Sequence, residues 1–143
     1  MLEIITFLAY ITHNSSLDAS RVSRKEIYCI ADAIYHEARG ESVEGQTAVA
    51  HVILNRVKSK RYPSTACEVV HQPYQFSYEK GKQHANKAAW SASIEYAALS
   101  YMGFINDPTE GATHYYAHNK VNPHWSSSYK VAAILGNHTF KRK

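Results

Sequence analysis

A chain of 143 residues with a formal charge of +4, 45% hydrophobic and 20% charged residues has the composition of a soluble globular domain and enough length for one sizeable core. A second domain does not fit in that length, and no low-complexity tract or internal repeat interrupts it. The basic balance favours polyanionic surfaces such as nucleic acid, anionic lipid or wall polymers, although the same charge also serves plain solubility.

Residues 1–20 read as an N-terminal extension. Leu2 through Ile11 is the most apolar run, but Glu3 interrupts it and no basic residue precedes it, so it suits neither a signal peptide nor a membrane span. Ile4, Leu8 and Ile11 share a helical face. This predicts a short docked helix, followed by a polar link from His13 through Ser20. The domain proper is expected over 21–143.

Ser23 with Glu26 three residues on forms a capping box, and Val22 can pack on Ile27 as a hydrophobic staple. A helix over 24–39 follows, with Ile27, Ile30, Ala31, Ile34 and Ala38 as its apolar stripe and Gly40 as its stop. At ~100° per residue Glu37 lies roughly 20° from Ile30, on the edge of that stripe. A carboxyl there is half desolvated, which raises its pKa as a general acid near neutral pH requires; it is equally the place of an ordinary boundary glutamate. His36 and Glu37 open like a zinc-protease HExxH helix, but the second histidine would fall on Gly40, so that reading fails on spacing. Ser42 can cap a second helix through Val57, with Glu44 in its first turn and Val43, Ala50, Ile53, Leu54 and Val57 as the inner face.

Lys58, Lys60 and Arg61 lead to Pro63, past the end of that helix. Residues 66–70 can pair or pack briefly. Residues 71–82 read as a surface loop whose Tyr74, Phe76 and Tyr78 suit either a sugar face or an amphipathic strand. A third helix is predicted over 86–102, with Trp90, Ile94, Ala97 or Ala98, and Tyr101 as core and Gly103 as its stop. Asp107 through Gly111 is turn chemistry, and Ala112 through His118 favours a strand, with a second strand over 137–141. Cys29 and Cys67 have neither metal nor redox spacing and are expected as buried thiols; a bridge needs the second segment to fold back on the first helix. On a strand His114 and His118 lie about 13 Å apart, too far to share one zinc, and no metal or cofactor is expected.

The run Ile34, Tyr35, His36, Glu37, Ala38, Arg39, Gly40, Glu41, then Glu44, Gly45, Gln46, then Val52, Ile53, Leu54, Asn55, Arg56, Val57 resembles the SleB/CwlJ cell-wall hydrolases. Tyr62, Pro63, Cys67, then Gln75, Phe76, Ser77, then Gly111 through Tyr116, Pro123, Trp125, Gly136, His138 and Phe140 continue the likeness in order. The resemblance implies an α+β, helix-rich, lysozyme-like single domain with a small antiparallel sheet. It implies an enzyme cleaving peptidoglycan between N-acetylmuramic acid and N-acetylglucosamine. Glu37 is then catalytic, and Gln75, Phe76, Thr113, Tyr115, His118 and Trp125 are expected to bind substrate. Family members look like lytic transglycosylases, which need one carboxyl; a muramidase would need a second, for which Glu41 and Glu44 are the nearby candidates. The compact, basic chain without a separate wall-binding domain resembles a phage endolysin, with a bacterial wall-remodelling or germination enzyme as alternative. A monomer is expected, acting on the bacterial wall, with no nucleic-acid partner and no stable membrane insertion. Two other classes compete with this reading: a metal-dependent amidase drawing on the nine histidines, and a basic module that binds polymer without chemistry.

Overall fold

The computed structural model describes residues 23–143 apart from positions 74 and 81. The predicted N-terminal helix, its link, the Val22 staple and Tyr74 therefore lie outside the described residues. Helix α1 is Arg24–Ala38 and starts where the sequence places it, with the Ser23 hydroxyl accepting from the Glu26 N–H at 3.2 Å. Its stripe is buried as expected, with Ile27, Ile30, Ala31 and Ile34 at 0% exposure. The Glu26 carboxylate does not close the box within its own helix. It reaches across the chain and accepts from Ala66 N (2.6 Å) and Cys67 N (3.0 Å). Those N–H groups begin the short helix α3, Ala66–Val70, which is what residues 66–70 form. A carboxylate from one helix therefore caps another and satisfies donors that would otherwise be orphaned.

That fold-back makes the bridge geometrically available, and Cys29 and Cys67 are joined as a disulfide with Cα atoms 5.2 Å apart. The expectation of two buried thiols is corrected here. Spacing along the chain carries no information about the approach, which the Glu26 cap and the packing of α3 on α1 bring about.

Helix α2, Val43–Lys58, is capped by Ser42, whose hydroxyl accepts from Gly45 N at 3.2 Å. It is buried on two sides rather than one. Val49, Ala50 and Ile53 join the main core with α1, α3 and helix α4, Lys87–Tyr101, whereas Ala48 and Val52 join a second cluster with Ala112 and Phe140. The predicted inner face missed this second side and included Val43, which is exposed. A helix apolar around much of its circumference has to be covered by two layers.

The second layer is a three-stranded antiparallel sheet in the order β1-β3-β2, from β1 (His114–Ala117), β2 (Lys130–Leu135) and β3 (His138–Arg142). The expected strands over 112–118 and 137–141 correspond to β1 and β3. The edge strand β2 was not expected: Val131 and Ile134 are exposed, and the register shifts between Val131 and Ala133, so period-two patterning is broken. The sheet is held to α2 by Asp107, whose carboxylate accepts from Thr109 N (2.8 Å), Gly111 N (2.9 Å) and Asn55 Nδ2 (2.9 Å). These bonds hold the Asp107 pKa below the usual carboxylate value against the opposing effect of burial. Among the described residues no helix is long and apolar enough to cross a membrane.

The disulfide closes a 38-residue separation, so replacing both Cys29 and Cys67 by serine should lower the unfolding free energy by about 2–4 kcal/mol. Urea unfolding of the variant, and of the wild type with and without reductant, measures it; reductant should have no further effect on the variant.

Candidate active site

Glu37 sits in the last turn of α1, half-buried, where the helical body meets the sheet. Desolvation raises its pKa, and two neighbours partly oppose this: the Tyr115 hydroxyl, which donates to the carboxylate, and the Lys80 ammonium. Burial is the larger effect, so the carboxyl keeps its proton to higher pH than a free glutamate does, the direction a general acid requires. Tyr115 itself is pushed well up by burial and by Glu37, so its phenol remains a donor. It reaches Glu37 because β1 turns Tyr115 toward α2, where it packs on Phe140 at 5.5 Å and touches both core clusters. Tyr115 thus belongs to the face of β1 that meets the helices.

The loop after α3 supplies the other side. Lys80 Nζ donates to the carbonyls of Phe76 (2.7 Å) and Tyr78 (2.8 Å) and lies over the Tyr78 ring at 4.0 Å. Burial raises the Tyr78 pKa, and the carboxylates of Asp32 and Glu37 push it the same way. Lys80 and Tyr78 both feel those two acids, which places the loop between them.

The remaining expected residues divide. Gln75 is exposed, and its Oε1 accepts from Arg56 Nη1 at 3.1 Å. Phe76 is 5% exposed in the main core, although the stretch around it is a loop and not an amphipathic strand. The Thr113 carbonyl accepts from Arg56 Nε at 2.8 Å, and its hydroxyl meets His114 Nδ1 at 2.9 Å. His118 is exposed and contacts the Thr139 hydroxyl at 2.9 Å. Trp125 is half-buried with its ring 5.2 Å from His114 and 5.7 Å from Tyr116, side chains that alternate with Tyr115 and so face away from Glu37. A cavity of about 530 Å³ opens on that side, lined by Tyr62, Thr113, His114, Tyr129, Arg61 and Arg142. Burial and the Arg56 charge lower the His114 pKa to about 4, so the imidazole is neutral there.

Sequence reasoning did not single out Arg56 as the tie between loop and strand. Arg56 is 5% exposed, and its guanidinium also lies over the Tyr62 ring at 4.9 Å. An arginine in the last turn of a helix reads as an exposed C-terminal charge, so position alone hides it. Glu41, a candidate second acid, faces the β2–β3 turn: its Oε1 is 3.6 Å from His138 Nδ1, and a Cβ on Gly136, at φ +56°, would collide with its carboxylate. Glu44 is exposed in the first turn of α2. His36, His84 and Asp32 also lie together beside this site.

Comparison with known proteins agrees with this architecture. The profile of the Cell Wall Hydrolase family matches residues 40–141, and the chain belongs to that family. The spore cortex-lytic enzyme of Oceanobacillus iheyensis is 33% identical over 120 residues, covering 82% of this chain and 42% of that protein. That of Bacillus subtilis is 32% identical over 120 residues, covering 82% and 38%. The chain therefore spans less than half the length of these curated relatives. Among solved structures, the catalytic domain of the germination-specific lytic transglycosylase SleB from Bacillus anthracis superposes with a TM-score of 0.68 at 29% identity, covering 88% of this chain and all of that one. The catalytic domain of Bacillus cereus SleB gives 0.69 at 27%, covering 90% and all of its chain. The helix-rich α+β domain with a small antiparallel sheet is thus the fold expected from sequence. The family match begins beyond Glu37, so the role of that residue rests on its surroundings.

The raised pKa has a consequence for stability. The unfolded chain releases this proton near 4.5 and the folded chain at higher pH, so the folded state binds the proton more tightly and loses stability as pH rises through that window. Glu37→Gln removes the buried charge and keeps an oxygen for Tyr115. At pH 7 its Tm should equal or exceed that of the wild type, and the difference should vanish below pH 4; paired thermal melts at the two pH values test this.

Proposed function

We propose that this domain cleaves the glycan strand of peptidoglycan as a lytic transglycosylase, with Glu37 as its single acid–base residue. The observation that carries the reading is the Glu37 carboxyl itself, desolvated at the seam between α1 and the sheet and partnered by the neutral Tyr115 phenol. The kinship with SleB catalytic domains supports the reaction class.

In this mechanism the protonated Glu37 donates to the glycosidic oxygen between N-acetylmuramic acid and N-acetylglucosamine, and the bond from that oxygen to the anomeric carbon breaks. The electron pair leaves with the oxygen, and the sugar acquires oxocarbenium character. The C6 hydroxyl of the same muramic residue then attacks the anomeric carbon while Glu37, now a carboxylate, takes its proton. The ring closes as a 1,6-anhydro end, Glu37 is again protonated, and no water is consumed. Tyr115 orients the carboxyl, and Lys80 steadies the carboxylate formed between the two steps.

A two-carboxylate muramidase needs a second acid free to activate water or attack the sugar. Glu41 faces the β2–β3 turn, with His138 Nδ1 3.6 Å away, and Asp32 is engaged with His84 (2.6 Å). Gln75, Thr113, His118 and Trp125 remain the proposed substrate contacts, with Thr113 lining the cavity beside His114 and Tyr129 and Trp125 packed against those two rings. Phe76 fits a core role better: Phe76→Ala should cost about 3–5 kcal/mol of stability. Both Glu37 and Tyr115 come from one chain, which suits a monomer. The disulfide suits an oxidising location outside the cytoplasm, where the wall is met.

Glu37→Gln should lower lytic activity on purified peptidoglycan by at least ~10² while the protein stays folded. A folded variant with near-normal activity sinks the assignment. Mass spectrometry of wild-type digests should find mainly 1,6-anhydro-muramic ends. Reducing muramic ends, together with loss of activity in folded Glu41→Gln, would make the enzyme a hydrolase, and cut peptide stems would make it an amidase.

A further inference from the structure

Asp32 and His36 are an i,i+4 pair on α1, and His84 approaches them from the loop that precedes α4. One ligand atom from each lies within 4.8 Å of the others. The arrangement is poorly satisfied by hydrogen bonds alone. Both imidazole Nε2 atoms converge on one oxygen, Asp32 Oδ1, His84 at 2.6 Å and His36 at 3.2 Å. His36 Nε2 lacks hydrogen-bond geometry there and is buried with no other partner. A buried, unpartnered ring nitrogen aimed at a carboxylate and a second imidazole asks for something to fill the gap.

The rings are also held in place. His84 stacks on Trp90 with centroids 3.5 Å apart and planes 6° from parallel. His36 stacks on Tyr78 at 4.7 Å and 19°. Tyr35 meets both edge-on, at 5.0 Å and 4.8 Å. Tetrahedral zinc with bonds of about 2.0–2.1 Å places its ligand atoms about 3.3 Å apart, so the cluster needs only small side-chain adjustments to close on an ion. Asp32 and His84 also line a cavity of about 550 Å³ with Tyr28, Trp90 and Cys29. That opening gives the ion a route in and leaves room for water as a fourth ligand.

We propose that Asp32, His36 and His84 form a binding site for a first-row divalent cation, zinc by ligand type, which clamps the 71–86 loop onto helix α1. Two imidazoles and one carboxylate are the donor set that zinc accepts with a water in the open position. The clamp would pin the loop on which Tyr78 and Lys80 reach Glu37, yet the site itself does not depend on the role assigned to Glu37.

The test uses tag-free protein stripped with chelator and then titrated with zinc chloride or cobalt chloride alone. Calorimetry should give one equivalent with micromolar or tighter affinity, cobalt should give visible d–d absorption, and a hundredfold excess over Kd should raise Tm by roughly 5–10 °C. His84→Ala, in a loop position that should fold, should weaken binding at least ~10-fold and abolish the Tm rise, whereas the exposed His124→Ala should change neither. Independently of any variant, histidine nitrogen NMR of the wild type should show two rings shifting at Nε2 on addition of zinc. Binding weaker than millimolar, binding unchanged in His84→Ala, or no paired Nε2 shift would each overturn the site and leave the cluster as a hydrogen-bonded triad.

Discussion

The need to cover helix α2 on two sides shapes this molecule. Val49, Ala50 and Ile53 require one layer, and Ala48 and Val52 require another. Each fully buried aliphatic side chain contributes roughly 1.5–3 kcal/mol relative to exposure, so neither side can be left open in a domain of this size. The sheet satisfies the second side, and its docking carries Tyr115 across to the end of α1. Glu37, at the edge of its own helix's buried stripe, is covered further by that closure and by the loop that carries Tyr78 and Lys80.

Polar ties then fix the register of the two layers. Asn55 and Arg56, adjacent near the end of α2, hold the Ala112 and Thr113 carbonyls at 2.9 and 2.8 Å. A buried guanidinium is costly unless its donors are used, and burial lowers its pKa; here the donors go to the strand and to Gln75, with Tyr62 and Phe76 against its faces. Loss of Arg56 would free loop and strand together, which places it in the support of the site rather than in the chemistry.

Much of this was legible from residues that act locally. Ser23, Ser42, Gly40 and Gly103 mark their helix ends by capping or positive φ, and the Ile27–Ala38 stripe needs only helical period. What escaped depends on partners far along the chain. Glu26 reads as a member of its own capping box, yet it serves α3 some forty residues on. Cys29 and Cys67 show no spacing signal because the approach is made by that same cap. Asp32 looks like a polar break in an apolar helix until His84 arrives from another segment. Strand β2 was hidden by its exposed apolar residues and its register shift.

The described acids that are not exposed sharpen the case for Glu37. Glu26 accepts from two backbone N–H groups, Asp32 faces two imidazoles, Glu41 faces His138, and Asp107 is ringed by Thr109, Gly111 and Asn55. Each of these has donors or histidines closing on its oxygens, the usual condition for keeping a carboxylate inside a protein. Glu37 is set in the same body with one neutral phenol as hydrogen-bond donor and a lysine that acts as a neighbouring charge. A fold that gives hydrogen-bond donors to the carboxylates of Glu26, Asp32 and Asp107, and leaves Glu37 with a single phenol, favours the protonated form of Glu37. In the proposed reaction the same shortage would return the proton to Glu37 once the departing bond has broken, because the carboxylate formed in that step is the poorly solvated form. One under-partnered acid would then serve both halves of the proposed reaction.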